Sequence, residues 1–575
     1  MKKQSNFLKL FLLGLSFATV FSCSDEPNLT ELSASNYDKE AYLKLGTKLE
    51  NPYSVTNMKR ALDSVKAKMK ISKTSKISSS LSEFDIETSH LYVKIEPKDA
   101  TQETLLKKDT AQAFFDYPLD YEFPEEVSEQ IGTNNKDSIS TYYVAVPKDY
   151  VFPDGIKTEV LEELYIPEQD PYFDNIPETG KVSKTSINSK EDLLGNLLIS
   201  AYTLTHNEKQ LGITPTSKTN KTSKTDWWFW GKKWRPSGRI TMYDNTINQV
   251  IPVEGAQVLI RQWFTVDSGI TDANGNFSTG TVRGKAKYIL QWERYHYSIR
   301  NGLFGQAETK SDYEKNDAWN LNITNNRDLY FANVHQAAHD YYYKDILGLE
   351  RPQLNSFLRR QMKIATFDTW NSSVHINQLA DLGILPSIYL RVDGAPSEIM
   401  YGTTIHELAH SAHHEMSPSG YNSLVWKAYL EPEAWINDTD KYKGAKRTME
   451  SWAVAVEITL TNLRYQRLGY PNFRYKEKEN QKSNSNPNFQ GTTLNNGDVV
   501  NNFYTSVFYD LTDNFNQRAV YFNNTVPLDR VSGFTIKQVQ DVIRGSQSWG
   551  EVKGKLRSQY PNTADLTDEL LSNWQ

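Results

Sequence analysis

Residues 403–416 read Thr-Thr-Ile-His-Glu-Leu-Ala-His-Ser-Ala-His-His-Glu-Met. Pro396-Ser397 suits a helix start, and Pro418 and Gly420 suit its end, so the spacing predicts one helix of about five turns. On that helix His406 and His410 stand four residues apart, separated by only about 40° around the axis. Both imidazoles can therefore reach one ion. Glu407 lies next to them, placed to take a proton from a water that such an ion activates. Ile405, Leu408 and Ala409 are apolar, which predicts burial. The chain has 575 residues and ten His, so H-E-x-x-H arises by chance on the order of once in a hundred such chains.

Zinc takes three protein ligands at a catalytic site and leaves a fourth position open. His413 shares the ligand face but lies about 7–8 Å along the axis from the midpoint of the pair, too far for a straight helix to serve one ion. His414 points off that face. Metzincins break the helix at a Gly and return a His six residues past the second ligand. Those positions here hold His413 and Met416, so that pattern is not met. Downstream, Lys446 to Leu468 reads as a second helix containing Glu450-Ser451-Trp452-Ala453. This E-x-x-A resembles the second zinc helix of gluzincins. The resemblance implies Glu450 as third ligand of a single Zn²⁺, with a small residue letting the two helices approach closely. The spacing from His410 is longer than is usual in that clan, and Val454 stands where a thermolysin-like enzyme places an acid. Glu457, two turns along the same face, is a rival ligand. Asp440, in Asp438-Thr439-Asp440-Lys441-Tyr442, is weakly similar to the aspzincin pattern and ranks third.

Ile388-Tyr389-Leu390-Arg391-Val392 precedes the zinc helix and reads either as an edge strand that pairs with an extended peptide substrate or as a plain core strand. The side chain that steadies the oxyanion is expected to be Tyr504, with Tyr509, His335 and His339 as alternatives.

The N-terminus carries a different message. Lys2 and Lys3, an apolar run from Leu10 to Phe21, and Val20-Phe21-Ser22-Cys23 read as a secretory signal of residues 1–22. It resembles a bacterial lipobox, which implies acylation of Cys23 and stable anchoring by several acyl chains. Phe21 departs from the small residue preferred there. Ser24-Asp25-Glu26 is similar to the acidic tag of Bacteroidota surface lipoproteins. The resemblances imply an exported chain held on the outer membrane, facing outward. Cys23 is the only cysteine, so disulfides and thiol catalysis are excluded. The formal charge of -6 gives no reason to expect nucleic acid as a partner. No internal run is long and apolar enough to span a bilayer. The lipid is therefore the expected membrane contact, and the chain is expected to be a monomer.

Residues 23–82 are polar and read as a tether from the lipidated cysteine, with one amphipathic helix near Asn57 to Met69. Short alternating runs such as His90-Leu91-Tyr92-Val93-Lys94-Ile95 predict a small β-rich or α+β domain over 83–210, ending in a helix at Lys190 to His206. A linker with an aromatic cluster follows over 211–234: Trp227, Trp228, Phe229, Trp230 and Trp234. These read either as a sugar-stacking platform or as a packed linker edge. Over 235–305, Gly238-Arg239-Ile240, Pro252 to Ile260 and the turn Thr271-Asp272-Ala273-Asn274-Gly275-Asn276 resemble a transthyretin-like domain. That implies a β-sandwich with a spacer or positioning role. Residues 306–575 read as a mainly helical, zincin-like domain containing a polar loop at 476–498. The expected whole is multidomain α+β. Its expected function is zinc-dependent hydrolysis of peptide bonds in a peptide or protein, with glycoproteins as one substrate class. The alternative is a glycan- or protein-capture lipoprotein whose zincin-like domain is not catalytic.

Overall fold

The computed structural model describes residues 47–71, 84–109, 111–121, 141–175, 190–208, 233–302, 305–314, 317–324, 326–356, 359–368, 373–375, 387–431, 440–475, 505–516, 518–519 and 528–572. Cys23, the linker at 214–224, the aromatic residues 227–230, the loop at 476–498 and Tyr504 lie outside the described residues. The fold is mixed, 40% helical and 24% strand, in line with the expected α+β class. Among the described residues no helix is long and apolar enough to cross a membrane.

In the N-terminal unit the alternating run His90–Glu96 is the central strand of three. It lies between Tyr142–Pro147 and Lys157–Leu164, antiparallel to both. Helix Val55–Ile71 packs on helix Lys190–Leu204 beside this sheet. The expected tether boundary at 82 does not hold. Tyr53, Met58, Leu62 and Val65 are buried with Leu194, Leu197 and Tyr202 in one apolar cluster. An amphipathic face in a free tether would stay in water, and burying it against the 190–204 helix is favourable by ~25 cal/mol per Å².

Residues 237–323 form two four-stranded sheets. One runs Glu308–Glu314, Ala286–Gln291, Gln257–Gln262, Thr265–Ile270. The other has Ser237–Asp244 between Trp319–Ile323 and Gln249–Pro252, with Asn276–Ser278 also paired to it. Gly275 has φ 79°, the left-handed conformation the Asn-Gly turn requires. The expected boundary at 305 does not hold either. Strands 308–314 and 319–323 complete the sandwich, while Glu293–Arg294, Tyr297–Asn301 and Gly305–Gln306 leave it for a third sheet. There Tyr297–Asn301, Met362–Thr366 and Ile388–Leu390 run parallel. Helix Asn326–Tyr343 lies between the first two of these in sequence, as a parallel crossover needs. A single apolar cluster runs from Ile240, Val258 and Tyr288 of the sandwich to Ile405, Leu408 and Trp452 beside the histidines, so the two regions share one core.

Ile388–Leu390 is not an edge. Its outer side is paired antiparallel with Val374–His375, which occupies the hydrogen bonds a docked peptide would need at Ile388 and Tyr389.

A buried ion pair joins the N-terminal unit to this third sheet. Lys363 Nζ lies 2.5 Å from Glu103 Oε2, and Tyr142 also donates to Glu103. Burial alone would raise the Glu103 carboxyl, but the charges of Lys363, Lys107 and Arg300 outweigh it and hold it at about 2. A depressed carboxyl stabilises the fold above its ordinary pKa of 4.5, and that contribution fades as pH falls from there towards 2. Lys363→Met is expected to cost about 3 kcal/mol in urea unfolding at pH 7, because it takes the nearest counter-charge from a buried carboxylate. The deficit should shrink at pH 3. An unchanged midpoint at pH 7 would show that the pair does not hold the unit in place.

Candidate metal centre

The helix Ser397–Met416 carries both histidines, and its start is held from outside its own sequence. Its N-cap is Pro396, which supplies no side-chain cap. The exposed end N–H groups find acceptors on the sandwich hairpin that follows Asp244. Ser397 N–H donates to Asn245 Oδ1 at 2.7 Å, and Glu398 N–H donates to Thr246 Oγ1 at 3.0 Å. Asn245 N–H in turn donates to Ser397 Oγ at 3.2 Å. The sandwich thus caps the helix, a contact of the kind that contributes about 1 kcal/mol.

The second helix, Asp440–Arg467, packs against the first. Glu450 Oε2 lies 3.2 Å from His410 Nε2 and 3.3 Å from His406 Nε2. Charge-assisted N–H···O⁻ bonds usually close to about 2.7–2.9 Å. Tetrahedral N and O ligands at zinc distances stand about 3.3–3.4 Å apart. The two separations lie near the second spacing and also admit a direct imidazole–carboxylate hydrogen bond. All three groups are buried, and one ligand atom from each lies within 4.8 Å of the other two. Two nitrogens and one carboxylate oxygen suit zinc.

Glu457, the rival, sits behind the candidate ligands. His406 Nδ1–H donates to Glu457 Oε2 at 3.0 Å, and Tyr475 Oη donates to Glu457 Oε1 at 3.2 Å. A carboxylate on the outer nitrogen fixes the tautomer that leaves Nε2 facing inward. Gly402, one turn before His406, makes room for this. A Cβ there would stand 2.8 Å from Tyr475 Oη and 3.0 Å from Glu457 Oε1. On the other side Tyr429 Oη donates to Glu450 Oε1 at 2.7 Å, which leaves Oε2 turned toward the imidazoles. Burial works against a charged His406, but the hydrogen bonds from Glu450 and Glu457 outweigh it and raise the imidazole to about 10. Burial would raise the Glu450 carboxyl, and the His410 and His406 imidazoles instead hold it well below the usual range. Glu457→Gln is expected to weaken zinc binding by about 10–100-fold, the effect of losing an outer partner. Metal titration against a competing chelator reads this, and an unchanged affinity would remove Glu457 from the account.

Glu407 is wholly buried and close enough to add to the charge that favours a protonated His406. His413 is buried away from the three ligand atoms, its ring 5.0 Å from that of Tyr421, and burial lowers it to about 3. His414 stands beside Glu415. Asp440 opens the second helix, and ten residues at 1.5 Å each set it about 15 Å along the axis from Glu450, out of the ligand set. Among the oxyanion candidates, His335 is engaged by Tyr297 Oη and the Glu254 carbonyl, and His339 stacks on it at 5.8 Å. Both belong to the core under the sandwich. Tyr509 Oη accepts from Asn462 Nδ2 at 3.0 Å, three helical turns beyond Glu450. Trp234, the described member of the aromatic cluster, is buried and donates to the Gly284 carbonyl at 2.7 Å, so it offers no sugar platform.

Tyr429, Tyr475, Asn245 and Thr246 were not singled out from the sequence. Each acts through tertiary contact, and none stands in a motif. No family model matches the chain, and no curated protein or solved structure matches it either.

Proposed function

We propose that this chain is a zinc-dependent peptidase, with His406, His410 and Glu450 holding the ion and Glu407 acting as general base. One observation carries the reading: Glu450 Oε2 stands 3.2 and 3.3 Å from two imidazole nitrogens on the neighbouring helix. Zinc, when bound, polarises a scissile carbonyl and lowers the pKa of water. Glu407 takes the proton of the attacking water and hands it to the leaving amine nitrogen. Glu457 and Tyr429 keep His406 and Glu450 turned inward through both steps. The substrate is a peptide or a protein, glycoproteins included. In the same reading, acyl groups on Cys23 hold the enzyme at the outer surface of the cell.

The test is cleavage of an added peptide library by cells expressing the chain. Cleavage should vanish with a zinc chelator and return with added Zn²⁺. In a Cys23→Ala strain it should move from the cell pellet to the soluble fraction. A library left intact by a chain that binds zinc would favour the capture-protein alternative. Activity that stays with the membranes in the Cys23→Ala strain would sink the lipid anchor.

A further inference from the structure

We propose a second cation site, for calcium, formed by Asp510, Asp513 and Asp529. One carboxylate oxygen from each lies within 4.8 Å of the other two. Asp510 closes the short helix Val507–Asp510, and Asp513 follows it in the next turn. Asp529 comes from a separate segment that leads into helix Ile536–Ile543. The site is therefore assembled by the fold rather than by one loop.

The second observation is Asp529 itself. It is 3% exposed, and among the described residues its Oδ2 has no hydrogen-bond partner. Its Oδ1 accepts from Val531 N–H at 3.1 Å. The other two carboxylates are engaged. Asp510 accepts from Ser506 Oγ, while Asp513 accepts from Phe515 N–H at 3.1 Å and pairs with Arg474 at 2.8 Å. A buried polar oxygen without a partner costs about 1–3 kcal/mol, more for a charged group. A cation shared with Asp510 and Asp513 removes that cost.

Charge points the same way. Three carboxylates converge here, and Arg474 pairs with one of them, Asp513. The donors are all hard oxygens, without the nitrogen or sulfur that selects zinc. Calcium accepts irregular sets of carboxylates with water completing the shell, whereas magnesium demands near-octahedral geometry and keeps most of its water. The segment leading to Asp510 is tied to the second helix, where Thr505 N–H donates to Ser451 Oγ at 3.2 Å. This inference does not depend on the peptidase reading.

The test is equilibrium dialysis of the full purified chain against Ca²⁺ alone. One calcium per chain should bind with sub-millimolar affinity, within the range of known protein sites of ~10⁻⁹–10⁻³ M. Asp529→Asn and Asp513→Asn should each weaken it at least ~10-fold, because affinity follows ligand charge. Zinc content should stay unchanged in both. No saturable binding up to ~5 mM Ca²⁺, or undiminished binding in both variants, would overturn the proposal. So would a second zinc per chain that is lost in Asp529→Asn.

Discussion

Glu407→Gln is expected to leave zinc in place and lower peptide turnover by at least ~10²-fold, the usual contribution of a positioned proton-transfer group. The substitution keeps the shape of the side chain and removes only the capacity to accept a proton. Glu407 is wholly buried, and an amide of the same shape fills the same space. Gln at this position should therefore leave the melting point close to that of wild type. A rate that collapses while the melting point holds separates a catalytic group from a structural one. A variant that still cleaves within about threefold of wild type would remove Glu407 from the chemistry.

His410→Ala should lose the metal outright. In the proposed centre it deletes one of three ligands, so the expected loss in affinity exceeds the ~10²-fold upper bound for outer-partner changes. Glu450→Gln belongs to the same class, since it takes the negative charge from the ion. Glu457→Gln should fall below both. This ranking tests the assignment of the two glutamates. If Glu457→Gln released the metal while Glu450→Gln retained it, the ligand would lie two turns further along the helix. Zinc stoichiometry after dialysis measures all three. Circular dichroism confirms that each variant still folds, because removing a metal ligand can also unfold a site whose binding energy is coupled to folding.

The part of the site legible in the sequence is the part that local geometry dictates. Four-residue spacing on a helix brings His406 and His410 to one face in any fold, and the Glu450-to-Ala453 pattern pointed to a partner helix. The outer contacts were not legible because they come from afar. Asn245 caps a helix 152 residues downstream. Tyr429 is one of 33 tyrosines and stands in a π-helical turn, Trp426–Leu430, that no periodicity announces. The same limit explains the misplaced boundaries. Tyr297–Asn301 alternates like any half-buried strand, and alternation does not say which sheet it joins. The amphipathic pattern of Val55–Ile71 predicted the helix but not the face waiting to cover it. The sequence left Ile388–Leu390 open between edge and core strand because Val374–His375, only two residues long, is too short to register as a strand.

The most direct test of the proposed centre is anomalous diffraction at the zinc absorption edge from crystals of the mature chain. The account predicts one strong peak per chain, bounded by His406 Nε2, His410 Nε2 and Glu450 Oε2, with Glu457 outside the coordination sphere. A zinc peak elsewhere, or none at those three atoms in protein grown with Zn²⁺, would contradict it.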